Sequence, residues 1–440
     1  MTAIAGIFAT QSGDIVERML ARMRHRAQGE IKIHTSATAA LGVIHKDGMK
    51  PPADKNRVED RISDRHYSFV QEVTGQPFFE RDFLGIVPLY YGRREDGALC
   101  FASEVKGLLE ATGDINEFPP GCSYDGKTFA RFFKLKPSVH LSENPDRIAA
   151  ELRVRLEKAV QKRIFSDETG CYLSGGLDSS IMAALARRHV RKLWSVAAGV
   201  AGAPDLEAAR EVADFIKADH QEVIVTPADM LRILPDVIWH LESFDALLVR
   251  SSIMQYFASQ RLIQHATDAF SGEGGDELFA GYAYMKNMTQ ERLNDELIES
   301  TGRLHNTALQ RVDRCSTAHG LRAHVCFLDP AVVEYALQIP TELKLRAGVE
   351  KWIVRQAFAN LLPERIIKRA KVKFWEGAGV QDLLAQHAQT VISDGDFSRE
   401  RTLPNGWVLG SKEELMYYRI FCERLGPIPK LDWMGRTPSS

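Results

Sequence analysis
The chain has 440 residues, 45% of them hydrophobic and 26% charged, with a formal net charge of −2. Those values describe a globular chain of two or three domains and leave no cationic footprint for nucleic acid. No apolar run reaches the roughly 18 residues a membrane span needs and no signal-peptide core is present; six scattered cysteines without CxxC or Cys/His spacing argue against structural zinc and suit a reducing cytoplasm.

Taken in chain order, residues 1–120 carry short β-rich runs: Ala3-Ile-Ala-Gly-Ile-Phe8, Ala40-Leu-Gly-Val-Ile44, Tyr67-Ser-Phe-Val-Gln-Glu-Val73 and Leu99-Cys-Phe-Ala102. The turn cluster Phe118-Pro-Pro-Gly-Cys122 reads as the end of that unit, and 121–145 as a linker, most clearly from Lys134 to Pro145. A helix is expected over Asp146–Gln161. Strands and helices then alternate: a strand over Gly170–Leu173, a helix through Ile181–Ala186, a strand over Leu193–Ala198, a helix over Asp205–Ile216 and a strand over Gln221–Val225. That alternation predicts a parallel sheet with helices on its faces in an α/β unit spanning 146–440. From about Ile253 the pattern is mostly helical apart from the strand before Ser271, and Arg436–Ser440 reads as a loose tail.

Two glycines stand between strand and helix in Tyr172-Leu-Ser-Gly-Gly-Leu-Asp-Ser-Ser180. Such a turn at a helix N-terminus presents backbone N–H groups and positive dipole to an anion. Gly175 and Gly176 let the backbone approach it, and Ser174 and Ser179 add hydroxyl donors. Asp178 would repel a phosphate unless Mg2+ lies between them, with Asp178 as one of its carboxylate ligands. The pattern predicts a nucleotide site, but not of the Walker type, which requires GxxxxGK[ST]. Asp268-Ala-Phe-Ser-Gly-Glu-Gly-Gly-Asp-Glu-Leu-Phe-Ala-Gly-Tyr282 repeats the strand, glycine turn and helix. It sets Glu273, Asp276 and Glu277 at the carboxyl end of a strand, where open α/β sheets bind ligands.

SGGLDSS resembles the pyrophosphate loop of ATP pyrophosphatases. Together with SGEGGDELFAGY it resembles the synthetase domain of the asparagine synthetases that use glutamine as nitrogen donor. Ala203-Pro-Asp-Leu206, Arg322–Asp329, Lys351, Arg355, Arg369–Gly379 and Ser411–Phe421 are similar to further segments of that family. The resemblance implies an ATP-pyrophosphatase-type parallel-sheet domain with a helical C-terminal part. It also implies an ATP-dependent, AMP-forming ligase that makes an acyl-adenylate before an amine attacks. By the same resemblance Leu173, Ala198, Ser271 and Gly272 hold adenine and ribose, the loop Ser174–Ser179 grips pyrophosphate, and Asp178 and Asp276 bind Mg2+. Lys371 supplies positive charge near the α-phosphate, Glu273 orients or deprotonates the incoming amine, and Arg250, at the start of a helix, holds pyrophosphate. Lys373 reads as a solvated surface lysine, and no histidine shows ligand spacing.

Residues 1–120 resemble a class II glutamine amidotransferase domain, of the Ntn-hydrolase-like type, in degenerate form. The family begins Met-Cys-Gly-Ile, with the cysteine as nucleophile; this chain begins Met1-Thr-Ala-Ile-Ala-Gly-Ile-Phe8. Arg24-His-Arg-Ala-Gln-Gly-Glu30 keeps only the first half of the family's His-Arg-Gly-Pro-Asp segment, and the Asn-Gly-Glu and Gly-Asp segments are absent. Arg81–Tyr91 and Phe101–Lys106 still match. Thr2 lacks the oxyanion donors a nucleophile needs, so the expectation is a packing remnant without glutaminase activity. Nitrogen then comes from ammonia or an amine, and the partners are small molecules, with no nucleic acid and no membrane; a homodimer is compatible with the reading. Leu247 and Leu248 stand where the family has two threonines, which implies an acid larger or less polar than aspartate. The resemblance leaves open an ammonia-dependent asparagine synthetase, a lactam- or macrocycle-forming synthetase, and a silent ATP-binding paralogue. It also suggests specialised or natural-product metabolism.

Overall fold
A computed structural model of the chain describes residues 2–45, 54–139, 141–142, 144–372, 374–379 and 383–437. The strand Thr2–Ile7 runs through the middle of a six-stranded antiparallel sheet, between Ala40–His45 and Leu99–Ala102. Alternate side chains leave its two faces. Ile4 joins Phe79, Phe101 and Phe118 in the core beneath the second sheet, while Ala3, Ala5 and Ile7 pack with Val16 and Leu20 of the helix Gly13–Ala21.

In the second sheet, His66–Val73 lies between Arg57–Ser63 and Gln76–Arg81. The Arg57–Ser63 strand was not legible as one because its inward positions are Val58, Asp60 and Ile62, so a carboxylate interrupts the apolar alternation. The expected end of the unit at the Pro-Pro-Gly turn also shifts. Cys122–Tyr124 pairs with the Gln76–Arg81 strand, and Phe129–Arg131 pairs with Cys122–Tyr124. The turn therefore folds the chain back into the sheet instead of releasing it as a linker.

The helix expected from Asp146 runs over Pro145–Gln161 and is capped by Asn144, whose side chain accepts from Asp146 N–H at 2.7 Å. It leads into a third sheet of five parallel strands, in the spatial order Asp219–Ile224, Lys192–Gly199, Glu168–Tyr172, Asp268–Ser271, Arg322–Val325. The first three strands in sequence extend to one side and the last two to the other. The order thus reverses between Glu168–Tyr172 and Asp268–Ser271, and a crevice opens at the carboxyl ends of those two. The fifth strand adds to the mostly helical expectation beyond Ser271. Arg322 and His324 obscure its pattern, and both are spent on Asp268, at 2.5 and 2.8 Å. No helix among the described residues is long and apolar enough to cross a membrane.

The N-terminal sheets and the C-terminal part share one apolar core, which runs from Ala3 and Ile7 to Leu241, Leu415 and Trp433. A buried lattice of charges crosses the same contact. Arg26, 1% exposed, meets Asp313 at 2.7 Å, Asp60 at 2.8 Å and Glu104 at 2.9 Å. Lys106 and Arg314 both reach Glu242, at 3.0 and 3.1 Å. The tail is less loose than expected: Arg436 pairs with Glu414 at 2.5 Å, and Thr437 N–H donates to Asp245 at 2.9 Å. Residues 438–440 lie outside the described residues.

Arg26→Met leaves three buried carboxylates facing one another and is expected to cost roughly 3–5 kcal/mol of stability in denaturant titrations; a loss below about 1 kcal/mol would remove the lattice as a determinant of the fold. A second contact between the halves is pH-sensitive. Glu117 accepts from Arg81 at 2.8 Å and from His305 at 2.7 Å. Burial opposes the Glu117 carboxylate, but His305 and Arg81 outweigh it and depress its pKa from 4.5 to about 2. The folded value lies below the unfolded one, so this contribution is complete above 4.5 and disappears as pH falls toward 2. Glu117→Gln should therefore destabilise the protein at neutral pH and flatten its further loss of stability on acidification, as measured by denaturant titration at each pH.

Candidate active site
The site grows from two loops at the carboxyl ends of the strands flanking the crevice. After Glu168–Tyr172 the chain turns through Leu173–Gly176 into the helix Leu177–Arg187. Within the turn, Ser174 N–H donates to the Ser179 hydroxyl at 3.3 Å, and that hydroxyl donates to Gly176 O at 3.1 Å. Gly175 has φ +67°, and a Cβ there would lie 2.4 Å from that of Ala208, so only glycine makes the turn. The second loop follows Asp268–Ser271 and opens the short helix Gly275–Leu278. A Cβ on Gly272 would lie 2.7 Å from the Ser179 nitrogen. The two glycine loops are therefore in backbone contact.

That contact brings Asp178 and Asp276 together, and two lysines from distant segments compensate them. Lys351 is 2% exposed and sits at φ +55°, between the hairpin Leu345–Glu350 and the helix Trp352–Phe358. Its ammonium lies 2.6 Å from Asp276 and also pairs with Asp178. Lys371, whose side chain is 31% exposed, reaches the other Asp276 oxygen at 2.7 Å. Burial opposes ionisation of Asp276, yet Lys351 and Lys371 hold its pKa well below the ordinary carboxylate range. Burial likewise disfavours the Lys371 ammonium, but Asp276 and Asp178 raise its pKa above the usual lysine value, and it stays charged. Glu350 organises both lysine-bearing segments, accepting from Arg355 at 2.8 Å and from Lys371 N–H at 3.1 Å. Arg369 ties the same stretch to Asp205 at 2.6 Å and to the Ser174 carbonyl at 3.4 Å.

Most of the residues singled out in the sequence converge here. Leu173, Ala198, Ser271 and Gly272 lie at or just past the carboxyl ends of three adjacent strands. Glu273 follows them, its carboxylate paired with Arg311 from the helix Ala308–Thr317. Arg250 departs from expectation. It lies in the second turn of the helix Ala246–Leu262 rather than at its first residue, and pairs with Glu413 of the C-terminal helix at 2.8 Å. Lys373 lies outside the described residues. Sequence reasoning gave no site role to Lys351, Arg311 or Arg369. Lys351 and Arg369 stood in segments already matched by motif. Arg311 carried no local signal, because its partner is 38 positions away.

The residues present fit Mg2+. Asp178 Oδ1 is buried without a hydrogen-bond partner, beside an ionised Asp276. No group of three or more His, Cys, Asp and Glu side chains able to hold a metal occurs among the described residues. Two carboxylates completed by phosphate and water are a donor set Mg2+ commonly takes.

Comparison with known proteins agrees with this geometry. The family described as asparagine synthase matches residues 151–299 and 286–421, and the glutamine amidotransferase domain family matches 66–139. A probable glutamine-hydrolyzing asparagine synthetase of Schizosaccharomyces pombe is 33% identical over 454 aligned positions, covering 94% of this chain and 80% of the relative. Its Dictyostelium discoideum counterpart is 30% identical, covering 89% and 80%. Glutamine-hydrolyzing asparagine synthetase 2 of Arabidopsis thaliana is 34% identical, covering 79% and 64%. The parallel sheet, its paired glycine loops and these matches define an ATP-dependent carbon–nitrogen ligase. The chain belongs to the asparagine synthase family.

Lys371→Met is expected to slow turnover by about 10²–10³-fold while leaving nucleotide binding and the circular dichroism spectrum in place. Lys351→Met, which strips a buried carboxylate pair of its enclosed cation, should weaken Mg-ATP binding itself by about tenfold or more, as read by calorimetry.

Proposed function
We propose that the protein activates a small organic acid as its adenylate and passes the acyl group to ammonia or an amine, without hydrolysing glutamine. The observation that carries this reading is the convergence of Asp178, Asp276, Lys351 and Lys371 beside the Glu273–Arg311 pair. A carboxylate oxygen of the acid attacks the α-phosphorus of ATP, the α–β bridging bond breaks, and pyrophosphate leaves. The amine nitrogen then attacks the acyl carbon, AMP departs, and the amine proton passes to a base. The 174–179 loop binds the departing pyrophosphate through its N–H groups and hydroxyls. Lys371 meets the charge building on the α-phosphate. Glu273, its direction set by Arg311, orients the amine and takes its proton. Asp178 and Asp276 would hold Mg2+, which would supply charge neutralisation for the phosphates.

The state of Thr2 supports the absence of glutaminase activity. Its hydroxyl donates to Asp60 at 2.7 Å and lies 3.1 Å from the Glu59 carbonyl, and the residue is only 4% exposed. A hydroxyl buried against a carboxylate and a carbonyl is a lattice member, not a nucleophile open to substrate. Residues 1–120 then serve as scaffold. Leu248 is 4% exposed within the apolar core and Leu247 is half-buried. With no hydroxyl at either position, the reading favours an acid larger or less polar than aspartate. All six cysteines are unpaired, which supports a reducing compartment.

The test is acid-dependent exchange of labelled pyrophosphate into ATP across a panel of carboxylic acids that includes aspartate. Exchange with an acid other than aspartate, and no glutamate released from glutamine, is the expected outcome. Brisk synthesis of asparagine from aspartate and ammonia would overturn the substrate assignment. Glutamate release that Thr2→Ala abolishes would overturn the scaffold role.

A further inference from the structure
A cavity of about 610 Å³ opens between the second N-terminal sheet, the end of the helix Gln290–Gly302 and the C-terminal segment. None of the residues assigned above to ATP, metal or acyl transfer lines it. Its volume is in the range of sites that enclose small organic ligands.

Its walls mix aromatic and aliphatic side chains with the polar Asn116, Glu117 and His305. Phe83 and Phe133 meet edge to face with centroids 5.2 Å apart, Trp433 stands opposite with Tyr90 behind it, and Leu135 and Ile298 complete the apolar surface. One polar device projects into this lining. The His305 Nδ1 lies 2.7 Å from the Glu117 carboxylate, so it carries a proton and donates it. Arg81 and Asn306 also donate to Glu117, at 2.8 and 3.3 Å, which neutralises that carboxylate. The ring is 17% exposed. At the rim, Arg131 and Lys134 have no carboxylate partner among the described residues, Arg131 donating only to the Pro120 carbonyl at 3.4 Å. Asp432 is the opposing charge on the lining. The balance is a mixed wall with an apolar side, where Arg131 and Lys134 outnumber Asp432.

We propose that this cavity is a second small-molecule site, which takes an organic anion with an aromatic or similarly bulky apolar body. The body fills the space between Phe133, Trp433 and Ile298, and the carboxylate faces Arg131 and Lys134. Because the lining comes from both halves of the chain, such a ligand bridges the N-terminal sheets and the end of the helix Gln290–Gly302 with the neighbouring His305. The site stands independently of which acid the ligase activates.

The test uses 4-phenylbutyrate as probe against the full chain in isothermal titration calorimetry. Saturable one-to-one binding with a dissociation constant at or below about 1 mM is expected. Gly302→Phe is the blocking variant. A Cβ at Gly302 meets only Leu135 Cδ1, at 3.9 Å, so the added ring enters the cavity without backbone strain. That variant should bind at least about tenfold more weakly, with its thermal transition unchanged, while Gly302→Ala binds as the parent does. The exposed double change Arg131→Glu with Lys134→Glu should have an effect of similar size, and the uncharged 4-phenylbutanamide should bind correspondingly worse. No saturation by the parent chain, or equal binding by Gly302→Phe, would overturn the site; equal binding of the amide would overturn the anion assignment.

Discussion
The backbone contact between two glycine loops is the constraint on which the rest of the site depends. Gly272 lies so close to Asp178 and Ser179 that no side chain fits between them. The loops can meet because the parallel sheet reverses its strand order between the strands they follow. Their meeting sets two carboxylates side by side, which is unfavourable unless cations share the space. Lys351 and Lys371 supply that charge from segments that lie far along the chain. The cluster is thus a balanced set of charges rather than a row of independent ligands.

The N-terminal half answers to a different constraint. Its sheets do not form a separate globule, since their outer face continues into the core that holds Leu241 and Trp433. Charges cross the same contact around Thr2 and Arg26. Arg26 is engaged by Asp60, Glu104 and Asp313, and the Thr2 hydroxyl is taken by Asp60. Asp313 and Arg314 belong to the helix that also presents Arg311 to Glu273. A chain of contacts therefore runs from Thr2 through Asp60, Arg26 and Asp313 to the helix whose Arg311 holds Glu273. The sheets help to bury that helix.

Much of the architecture was legible because it rests on local patterns. The strand–turn–helix of both glycine loops, the helices Pro145–Gln161 and Pro204–Ile216, and the central strands of the parallel sheet all carry their periodicity or turn chemistry within a dozen or so residues. Strands with charge on an inward face were not legible. Asp60 and His324 are buried because partners elsewhere in the chain accept them, and a single sequence does not reveal those partners.

The sequence by itself determined the chemistry on offer: two glycine turns between strand and helix, the carboxylates Asp178, Glu273 and Asp276, a basic C-terminal segment around Lys371, and threonine at position 2. Only the tertiary structure decided which cations meet those carboxylates. Lys351 reaches Asp178 across 173 positions, Arg311 takes Glu273, and Arg250 pairs with Glu413. The physical reason is range. Turn and helix propensities act between neighbours in sequence, whereas the pairing of buried charges is settled by the desolvation each must offset once the core has closed around it.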